Sequence, residues 1–339
     1  MKSEWFSDWP LDGVACRFMG PSEKIVLAAA GYRYEAQQNV RAGGIFFYEL
    51  SFASSVPELK PLMSALSAGV YDCDWLPNSN YLAATFATGE FVLLDCVNGT
   101  SAAVASSCKL TDSAVLTNVA MDEIGHFFAC GDHSGKVHLM SRSNANVSVI
   151  SSWQAHKEAP TWSTAFDSQR NLILSCGDDS LIHAWDHRDT GRPAFTLKGH
   201  DAGVCAISPL SNGDVLVSGS YDETLRSWDL RHCKESQSTV DRLNLECGVW
   251  KLRKQKLSNN CYNLLAACLE GGVAVAGIDC SSGRLHLLKN MENEEWAASG
   301  DEDYTQLVYG VDFVPEHNLF VACTHSSKNG TGRLQLYSL

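Results

Sequence analysis

The sequence predicts an all-β protein, and three observations lead to that class. A unit of about 44 residues recurs along the 339-residue chain. Short segments alternate apolar and polar residues with period two, as Asp72 and Asp74 do between Tyr71, Cys73 and Trp75. No window of helical length keeps apolar residues at the i, i+3, i+4, i+7 spacing. Repeated short strands without helices are typical of a closed, repetitive β architecture.

The repeat is clearest in two adjacent units that run from a histidine to a Trp-Asp pair. The offsets between matching positions are 43 or 44 residues, and the matched pairs are His156 and His200, Asp179 and Asp222, and Trp185 and Trp228. A period of 40 to 45 residues with such ends resembles the WD-repeat family of β-propellers. That resemblance implies four-stranded blades arranged around a central channel.

Seven units are predicted from a recurring start, a small residue followed by an apolar one, usually valine. The starts are Gly13-Val14, Gly69-Val70, Ala114-Val115, Thr161-Trp162, Gly203-Val204, Gly248-Val249 and Gly310-Val311. Seven units in 339 residues give about 48 residues each, which suits a blade and its connections. We therefore expect residues 1–339 to form a single seven-bladed β-propeller.

The two ends of the chain are predicted to meet in the last blade. The last unit stops after a third strand at Arg333–Tyr337, which leaves one edge unpaired. The segment from Glu4 to Trp9 is the spare strand that can close the ring. Separately, Tyr32 to Gly43 lengthens the first unit between its second and third strands.

The charge balance limits the classes of partner. The chain carries 26 basic and 39 acidic residues, a formal net charge of −13. This excess argues against nucleic acid or an anionic membrane as the main partner and favours a cationic or basic one. The segment from Asn290 to Asp303 holds six acids, and it is either a solvated face or a contact for a basic partner.

The cysteines indicate a reducing compartment. There are thirteen, an odd number, and none forms a C-x-x-C pair, so we expect free thiols and no metal site. Free thiols favour the reducing cytosol or nucleus, and we expect a cytoplasmic protein. The N-terminus lacks the pattern of a signal peptide, and no apolar run reaches the roughly 18 residues that a membrane helix needs.

A His, Ser, Asp and Trp recur together in the two clear units. They are His156, Ser175, Asp179 and Trp185, then His200, Ser218, Asp222 and Trp228. A catalytic triad is one interpretation of this set. A hydrogen-bonded network inside each blade is the favoured one, because a nucleophile between strands cannot meet a substrate.

Other motifs give weaker signals. The sequence holds no G-x-S-x-G, H-E-x-x-H, phosphate-loop or dinucleotide pattern, so no cofactor is predicted. Two W-D-x-R motifs end at Arg188 and Arg231 and resemble the box by which some propellers dock onto cullin ubiquitin ligases. Packing within a propeller blade is an alternative reason for an arginine at this position of each motif.

Several segments together resemble one WD-repeat family, the diphthine methyl ester hydrolases. They are Ser152–His156, Gly177–Asp179, Gly203–Cys205, Gly219–Glu223, Trp228–Arg231, Gly248–Lys251, Leu264–Cys268 and Leu307–Asp312, with Ala30–Tyr32 and Gly44–Tyr48 near the start. The resemblance implies hydrolysis of the methyl ester of methylated diphthine on elongation factor 2, a late step of diphthamide biosynthesis. The last unit departs from the family at Ala322–Ser327.

Propeller geometry indicates which residues could serve that reaction. A trimethylammonium group is best bound by aromatic faces with a nearby acid. The positions gathered at one face of a propeller supply Trp162, Tyr221, Glu223, Trp250 and Tyr309, with Asp178 beside them. The alternative is that Trp162 and Trp250 only fill the channel.

Ester hydrolysis also needs a base and a nucleophile. His133, Asp178 and His325 are predicted at turns of the same face, with Ser134 and Ser326 beside the histidines. We expect one of them to activate water or a serine. The competing hypothesis is a non-catalytic propeller that acts as a ligase receptor or trafficking scaffold. In either case we expect a monomer, because a propeller needs no dimer for stability.

Overall fold

Twenty-eight strands in seven antiparallel four-stranded sheets make up the part of the chain that the computed structural model describes. That part comprises residues 3–6, 13–18, 25–53, 57–97, 101–210, 214–233, 239–258, 260–291, 306–314, 316–326 and 331–339. A short 3-10 turn occupies Leu230–His232. The predicted seven-bladed β-propeller is confirmed.

Blades are numbered along the chain, and strand β1 (Ser3–Phe6) belongs to the last one. Blade 1 contains β2 (Gly13–Phe18), β3 (Ile25–Glu35), β4 (Val40–Ser51) and β5 (Glu58–Ala68). Blade 2 contains β6 (Val70–Trp75), β7 (Tyr81–Phe86), β8 (Glu90–Val97) and β9 (Ser101–Lys109). Blade 3 contains β10 (Ala120–Met121), β11 (Phe127–Gly131), β12 (Lys136–Ser143) and β13 (Asn146–Gln154).

The remaining blades have the same order of strands. Blade 4 contains β14 (Thr161–Asp167), β15 (Leu172–Gly177), β16 (Leu181–Asp186) and β17 (Phe195–Lys198). Blade 5 contains β18 (Val204–Pro209), β19 (Val215–Ser220), β20 (Thr224–Asp229) and β21 (Thr239–Asn244). Blade 6 contains β22 (Lys251–Lys256), β23 (Cys261–Ala267), β24 (Val273–Asp279) and β25 (Arg284–Met291). Blade 7 contains β26 (Gln306–Phe313), β27 (Leu319–Ser326), β28 (Thr331–Ser338) and β1.

The ring closes through the N-terminal strand, as predicted. Strand β1 pairs antiparallel with β28, and Ser3 lies opposite Leu336 while Phe6 lies opposite Arg333. The predicted segment began at Glu4 and ended at Trp9, and its residues 7–9 lie outside the described part of the chain. The pairing satisfies the outer edge of blade 7, which would otherwise be open to another strand.

The hydrophobic core is divided among the interfaces between blades. Seven apolar clusters occur among the described residues, and each joins two neighbouring blades. On β3, Val26 and Ala28 pack toward blade 2, whereas Leu27 and Ala29 pack toward blade 7. Because side chains on a strand alternate between faces, a strand buried on both sides serves two clusters. This is why the buried part of the second strand of a blade consists mainly of apolar residues.

Two of the seven predicted unit starts differ from the structure. The first strand of blade 3 is only Ala120–Met121, five residues after the expected Ala114-Val115, although Leu116 forms an isolated bridge with Asp132. In blade 7, Gly310-Val311 lies inside β26 rather than at its beginning. The matching positions there are Val308 and Tyr309, because the bulge that follows Val70 in blade 2 and Val204 in blade 5 lies here between Val308 and Gly310.

The lengthened part of the first unit is a β-hairpin. Strands β3 and β4 stay paired as far as Glu35 and Val40, and a tight turn joins them at residues 36–39. Asn39 has a positive φ of 53°, a conformation that asparagine tolerates well. The extra residues therefore extend two strands of blade 1 beyond the length of the other blades.

Candidate functional site: an aromatic chamber on the propeller axis

Bulges in the first strands place aromatic side chains around the axis. In blades 2, 4 and 7 the register shifts across Tyr71, Trp162 and Tyr309, so that each stands as an extra residue between two paired neighbours. Cys205 occupies the same position in blade 5. A bulge turns its extra residue away from the regular alternation of the strand. The first strands of most neighbouring blades pack against one another around the channel, so these residues meet there.

These side chains line a cavity of about 780 Å³. We call it the aromatic chamber and define it by Tyr32, Tyr71, Trp162, Tyr221, Trp250 and Tyr309. Trp250 is central to it, with its ring centroid 5.3 Å from Trp162, 5.9 Å from Tyr309 and 6.1 Å from Tyr221. Tyr32 stacks on Tyr71 at 4.4 Å. The predicted set of Trp162, Tyr221, Trp250 and Tyr309 thus converges on one cavity.

Charged groups are distributed unevenly around the chamber. Glu223, Glu246 and Glu270 line it from blades 5 and 6 and are exposed to solvent. Arg41 lines it from the hairpin of blade 1. Blade 7 separates the two groups on one side of the ring, and blades 2 to 4 separate them on the other. The chamber therefore has an acidic side and a basic side.

His133 is the candidate base that the structure brings into the chamber. It lies in the turn between β11 and β12, and its ring meets Trp162 edge-on at 5.2 Å. Burial lowers the pKa of His133 below 6.5, and the positive charge of Arg41 lowers it further. The imidazole is therefore neutral at neutral pH and able to accept a proton.

Asp178 acts on the chamber through Trp162. The indole Nε1 of Trp162 donates to Asp178 Oδ1 at 3.3 Å, which fixes the orientation of the ring. Ser134 is held within its own turn, since its hydroxyl donates to Asp132 Oδ1 at 2.8 Å. Neither residue is among those that line the cavity.

His325 and Ser326 lie elsewhere than expected. The sequence predicted a turn, but both residues end strand β27, with His325 opposite Leu307 and Ser326 opposite Gln306. His325 is buried, and Leu307 forms the chamber wall at that point. The second strand of blade 7 extends two residues further than in blades 4 and 5, which is why the expected turn begins later.

The recurrent His, Ser, Asp and Trp residues contact one another inside blades 4 and 5. The hydroxyl of Ser175 lies 2.9 Å from His156 Nε2 and accepts from Trp185 Nε1 at 2.9 Å, while His156 Nδ1 lies 2.9 Å from Asp179. In blade 5, Ser218 Oγ lies 2.7 Å from both His200 and Trp228, and His200 lies 2.8 Å from Asp222. Both serines are fully buried, which leaves them inaccessible to a substrate.

Donors near this network could in principle hold a metal ion. His156, Asp179 and His183 bring one donor atom each within 4.8 Å of one another. Both ring nitrogens of His156 already contact Asp179 and Ser175, and His183 Nδ1 lies 2.8 Å from Thr196 Oγ1. Hydrogen bonds inside the blade account for these positions.

The arginines of the two W-D-x-R motifs pair with the aspartates of the same motifs. Arg188 lies 2.6 Å from Asp186, and Arg231 lies 2.7 Å from Asp229. The side chains of Arg188 and Arg231 are 73% and 61% exposed. The contacts order the strand ends and leave part of each guanidinium accessible.

Several residues of the chamber were not predicted from the sequence. They are Tyr32, Arg41, Tyr71, Glu246, Cys247 and Glu270. Tyr71 had a usable signal, because it follows Val70 as Trp250 follows Val249. Arg41 had none, since only the fold of the hairpin brings it to the axis.

Comparison with known proteins agrees with the architecture. The model of the WD domain, G-beta repeat family matches residues 147–186 and 191–229, which cover blade 4 and most of blade 5. The chain is a seven-bladed WD-repeat β-propeller. A chain in the crystal structure of the mitotic checkpoint complex superposes on this propeller with a TM-score of 0.69, covering 99% of this chain and 94% of that one. At 16% identity this likeness concerns the fold alone.

Curated relatives named diphthine methyltransferase resemble most of this propeller. The mouse and human proteins are each 27% identical over 82% of this chain. The Schizosaccharomyces pombe protein is 24% identical over 90% of it and 91% of its own length. The chain spans about 60% of the length of the mouse and human relatives. Their name describes a methyltransferase, whereas the resemblance noted from the sequence implied a hydrolase.

No helix in the described ranges is long and apolar enough to cross a membrane. The twelve cysteines from Cys73 to Cys323 are free thiols, and most of them are buried. Cys247 is the thiol that lines the chamber, where its Sγ lies 3.2 Å from the carbonyl oxygen of Leu245.

Proposed function

We propose that this propeller hydrolyses the methyl ester of methylated diphthine on elongation factor 2 and so takes part in diphthamide biosynthesis. The observation that carries the proposal is the aromatic chamber, which combines an acidic side with a neutral histidine. The similarity to relatives named diphthine methyltransferase supports the choice of substrate. We propose a cytoplasmic site of action for the same reason, since elongation factor 2 is the partner.

The first requirement is to bind a trimethylammonium group. This cation has no N–H to donate, so aromatic faces and carboxylates stabilise it in place of hydrogen bonds. Trp250 lies between Trp162, Tyr221 and Tyr309, and Glu223 adds negative charge at the same side. The chamber thus offers the combination that such a ligand needs.

The second requirement is to activate water. His133 accepts a proton from water as the water oxygen attacks the ester carbonyl. The bond between the carbonyl carbon and the methoxy oxygen then breaks, and the proton passes from His133 to the departing methoxide. The products are methanol and the carboxylic acid, which releases its proton to water at neutral pH and becomes a carboxylate. Trp162 positions the His133 ring through their edge-on contact, and Asp178 holds Trp162.

Hydrolysis suits the chamber better than methyl transfer to the ligand. A quaternary nitrogen has no lone pair with which to accept a methyl group, whereas its adjacent methyl ester is open to attack by water. A neutral imidazole in the chamber serves this attack directly. The proposed reaction removes a methyl group from a ligand that is already fully methylated at nitrogen.

The test uses the purified protein and elongation factor 2 that carries methylated diphthine. We expect the modified factor to lose the mass of one methylene unit while one equivalent of methanol appears, and we expect His133→Gln to slow both changes on the order of 10²- to 10⁴-fold. A parallel reaction contains S-adenosylmethionine and unesterified diphthine. No mass loss at stoichiometric protein, or a mass gain that needs the methyl donor, would overturn the hydrolase proposal.

A further inference from the structure

We infer that Arg41 is a carboxylate anchor of the aromatic chamber, which therefore binds a zwitterion, an α-trimethylammonium carboxylate, in preference to a simple quaternary cation. The inference rests on the proposed function, because the hydrolysis product is such a zwitterion. Arg41 would recognise the acyl end of the ligand, and the charges around the chamber would orient the ligand.

Among the described residues, Arg41 has no anionic partner. Its guanidinium carbon lies 5.1 Å from the ring centre of Tyr34 and 5.9 Å from those of Tyr32 and Tyr71. No carboxylate of the described residues lies within ion-pair distance of it, and its buried Nε has no hydrogen-bond partner. Aromatic faces attract the charge but accept few of the N–H groups. The planar edge of the guanidinium is thus available for a carboxylate, which it can bind with two parallel hydrogen bonds.

The extended hairpin of strands β3 and β4 in blade 1 places Arg41 at the aromatic chamber. Arg41 pairs with Tyr34 across the extended strands β3 and β4, and its carbonyl accepts from the Gly69 amide at 2.6 Å. A Cβ at position 69 would lie 2.5 Å from Tyr32 Cβ and 3.0 Å from Arg41 Cβ. Glycine at this position therefore lets the hairpin close against blade 2. The extra length of the first unit thus carries Arg41 to the axis.

The remaining charges fix the direction of the ligand. Glu223, Glu246 and Glu270 lie at blades 5 and 6, so the ammonium group is drawn toward Trp250 and the carboxylate toward Arg41. His133 lies on the wall between them, in blade 3. In the proposed substrate the ester carbon is bonded to the carbon that bears the nitrogen. The ester of the substrate is uncharged, so Arg41 donates a hydrogen bond to its carbonyl oxygen, and a ligand bound at this oxygen and at the ammonium group presents the ester carbon beside His133. After hydrolysis the same guanidinium pairs with the carboxylate of the product.

The recognition of a zwitterion can be measured without turnover. Binding of glycine betaine, choline and acetate is followed by NMR titration of the full chain, because betaine carries both groups and the other two carry one each. We expect betaine to bind more tightly than choline. In Arg41→Gln we expect betaine binding to weaken on the order of 10- to 100-fold, the range for a charge-assisted contact, while choline binding is unchanged.

Two further variants distinguish carboxylate binding by Arg41 from a purely structural role of this residue. Arg142 also lies over a tyrosine, Tyr81 at 5.9 Å, but outside the chamber, so Arg142→Gln should leave betaine binding unchanged. Arg41→Lys keeps the charge without the planar fork and should retain part of the betaine preference. If Arg41→Gln fails to fold, the comparison of Arg41→Lys with the wild type decides the matter.

The outcomes separate this inference from the proposed function. Equal binding of betaine and choline by the wild type, or an equal loss of both in Arg41→Gln, overturns the anchor. Betaine binding that depends on Arg41 in a protein that releases no methanol keeps the zwitterion site and overturns the hydrolase. Methanol release by a protein that binds betaine no more tightly than choline keeps the hydrolase proposal and overturns the zwitterion site.

Discussion

Lys251 Nζ lies 3.1 Å from Asp72 Oδ2, an ion pair between blades 6 and 2 that crosses the central channel. The two residues are 179 positions apart in the chain. Asp72 Oδ2 also accepts from the backbone amide of Val119 at 3.2 Å, which adds blade 3 to the contact. Both residues line a second cavity of about 350 Å³, and each follows directly after a residue of the aromatic chamber, Trp250 and Tyr71. The pair joins distant blades beside the chamber.

We expect this ion pair to matter for stability because Asp72 is buried. Only 4% of its side chain is exposed, so Lys251→Met leaves a buried carboxylate without its cation. Loss of one partner of a buried pair costs about 3–5 kcal/mol of unfolding free energy. Urea denaturation measures the change. The double variant Lys251→Met with Asp72→Asn should recover much of the loss, and a single variant as stable as the wild type would contradict the role of the pair.

Ser218 is expected to stabilise blade 5 through its hydroxyl. Ser218→Ala removes the atom that His200 and Trp228 both contact at 2.7 Å, and leaves their buried nitrogens without a partner. Each unsatisfied buried group costs about 1–3 kcal/mol. The exposed Ser168→Ala is the matched control in the same urea experiment. Equal stability of the two variants would show that the network contributes nothing measurable.

The stability of the protein should fall as the pH is lowered from 7 to 4, in part because of His183. Burial, followed by the neighbouring charge of His156, lowers the pKa of His183 to about 4, although Asp179 opposes the shift. The unfolded chain takes up a proton near pH 6.5, before the folded one does, so protonation favours unfolding in this window. The contribution of His183 is fully present above that pH.

The measurement is the urea midpoint as a function of pH. His183→Gln keeps a side chain that can hydrogen-bond to Thr196 but removes the proton uptake, so its midpoint should vary less between pH 7 and 4. The exposed His126→Gln serves as control and should keep the wild-type dependence. An unchanged slope in His183→Gln would exclude this residue as a source of the acid sensitivity.

His133 should determine the acid limb of ester hydrolysis. We expect His133→Gln to lower kcat on the order of 10²- to 10⁴-fold with a small effect on KM, as for loss of a general base. Because burial lowers the pKa of His133 below 6.5, the acid limb of wild-type kcat/KM should have its midpoint below pH 6.5. Arg41 contributes to that lowering, so Arg41→Gln should shift the limb to higher pH. A limb that persists in His133→Gln would identify another base.

Substitution of Trp250 tests whether this residue binds the cation or only fills the central channel. Trp250→Ala removes the ring that contacts Trp162, Tyr221 and Tyr309. We expect this variant to weaken the binding free energy of choline by about 0.5–2 kcal/mol. Trp250→Phe retains an aromatic face and should lose less. Circular dichroism and thermal unfolding report whether both variants fold. A Trp250→Ala protein that folds and binds choline as the wild type does would remove Trp250 from the cation site.

Much of the fold could be predicted from the sequence because its signals are local. Period-two alternation marks the strands, and a segment buried on both faces is a continuous apolar run, as Val26–Ala30 in β3 and Leu264–Ala267 in β23 are. The clear His, Asp and Trp-Asp positions of blades 4 and 5 set the repeat length. The last blade was harder to place, since Gly310-Val311 imitates a unit start inside a strand.

The candidate site could be predicted only where it follows the repeat. Trp162, Trp250 and Tyr221 belong to repeated positions, and these residues meet in the chamber. His325 was misplaced because the second strand of blade 7 is longer than the repeat predicts. Glu246 lies in the connection between blades 5 and 6 and was not predicted. Glu270 lies in the turn between β23 and β24, the position that Glu223 occupies in blade 5, so the repeat did hold a signal for it.

The sequence by itself determined the seven blades, the closing N-terminal strand and the repeated aromatic positions, since each depends on neighbours along the chain. Only the tertiary structure brought Arg41 beside Tyr71 and His133, and Lys251 to Asp72. Closing a ring brings the inner strands of distant blades into contact, and the separation of two residues around the axis bears no simple relation to their separation in sequence. The chamber's acidic and basic sides therefore arise from the closed propeller.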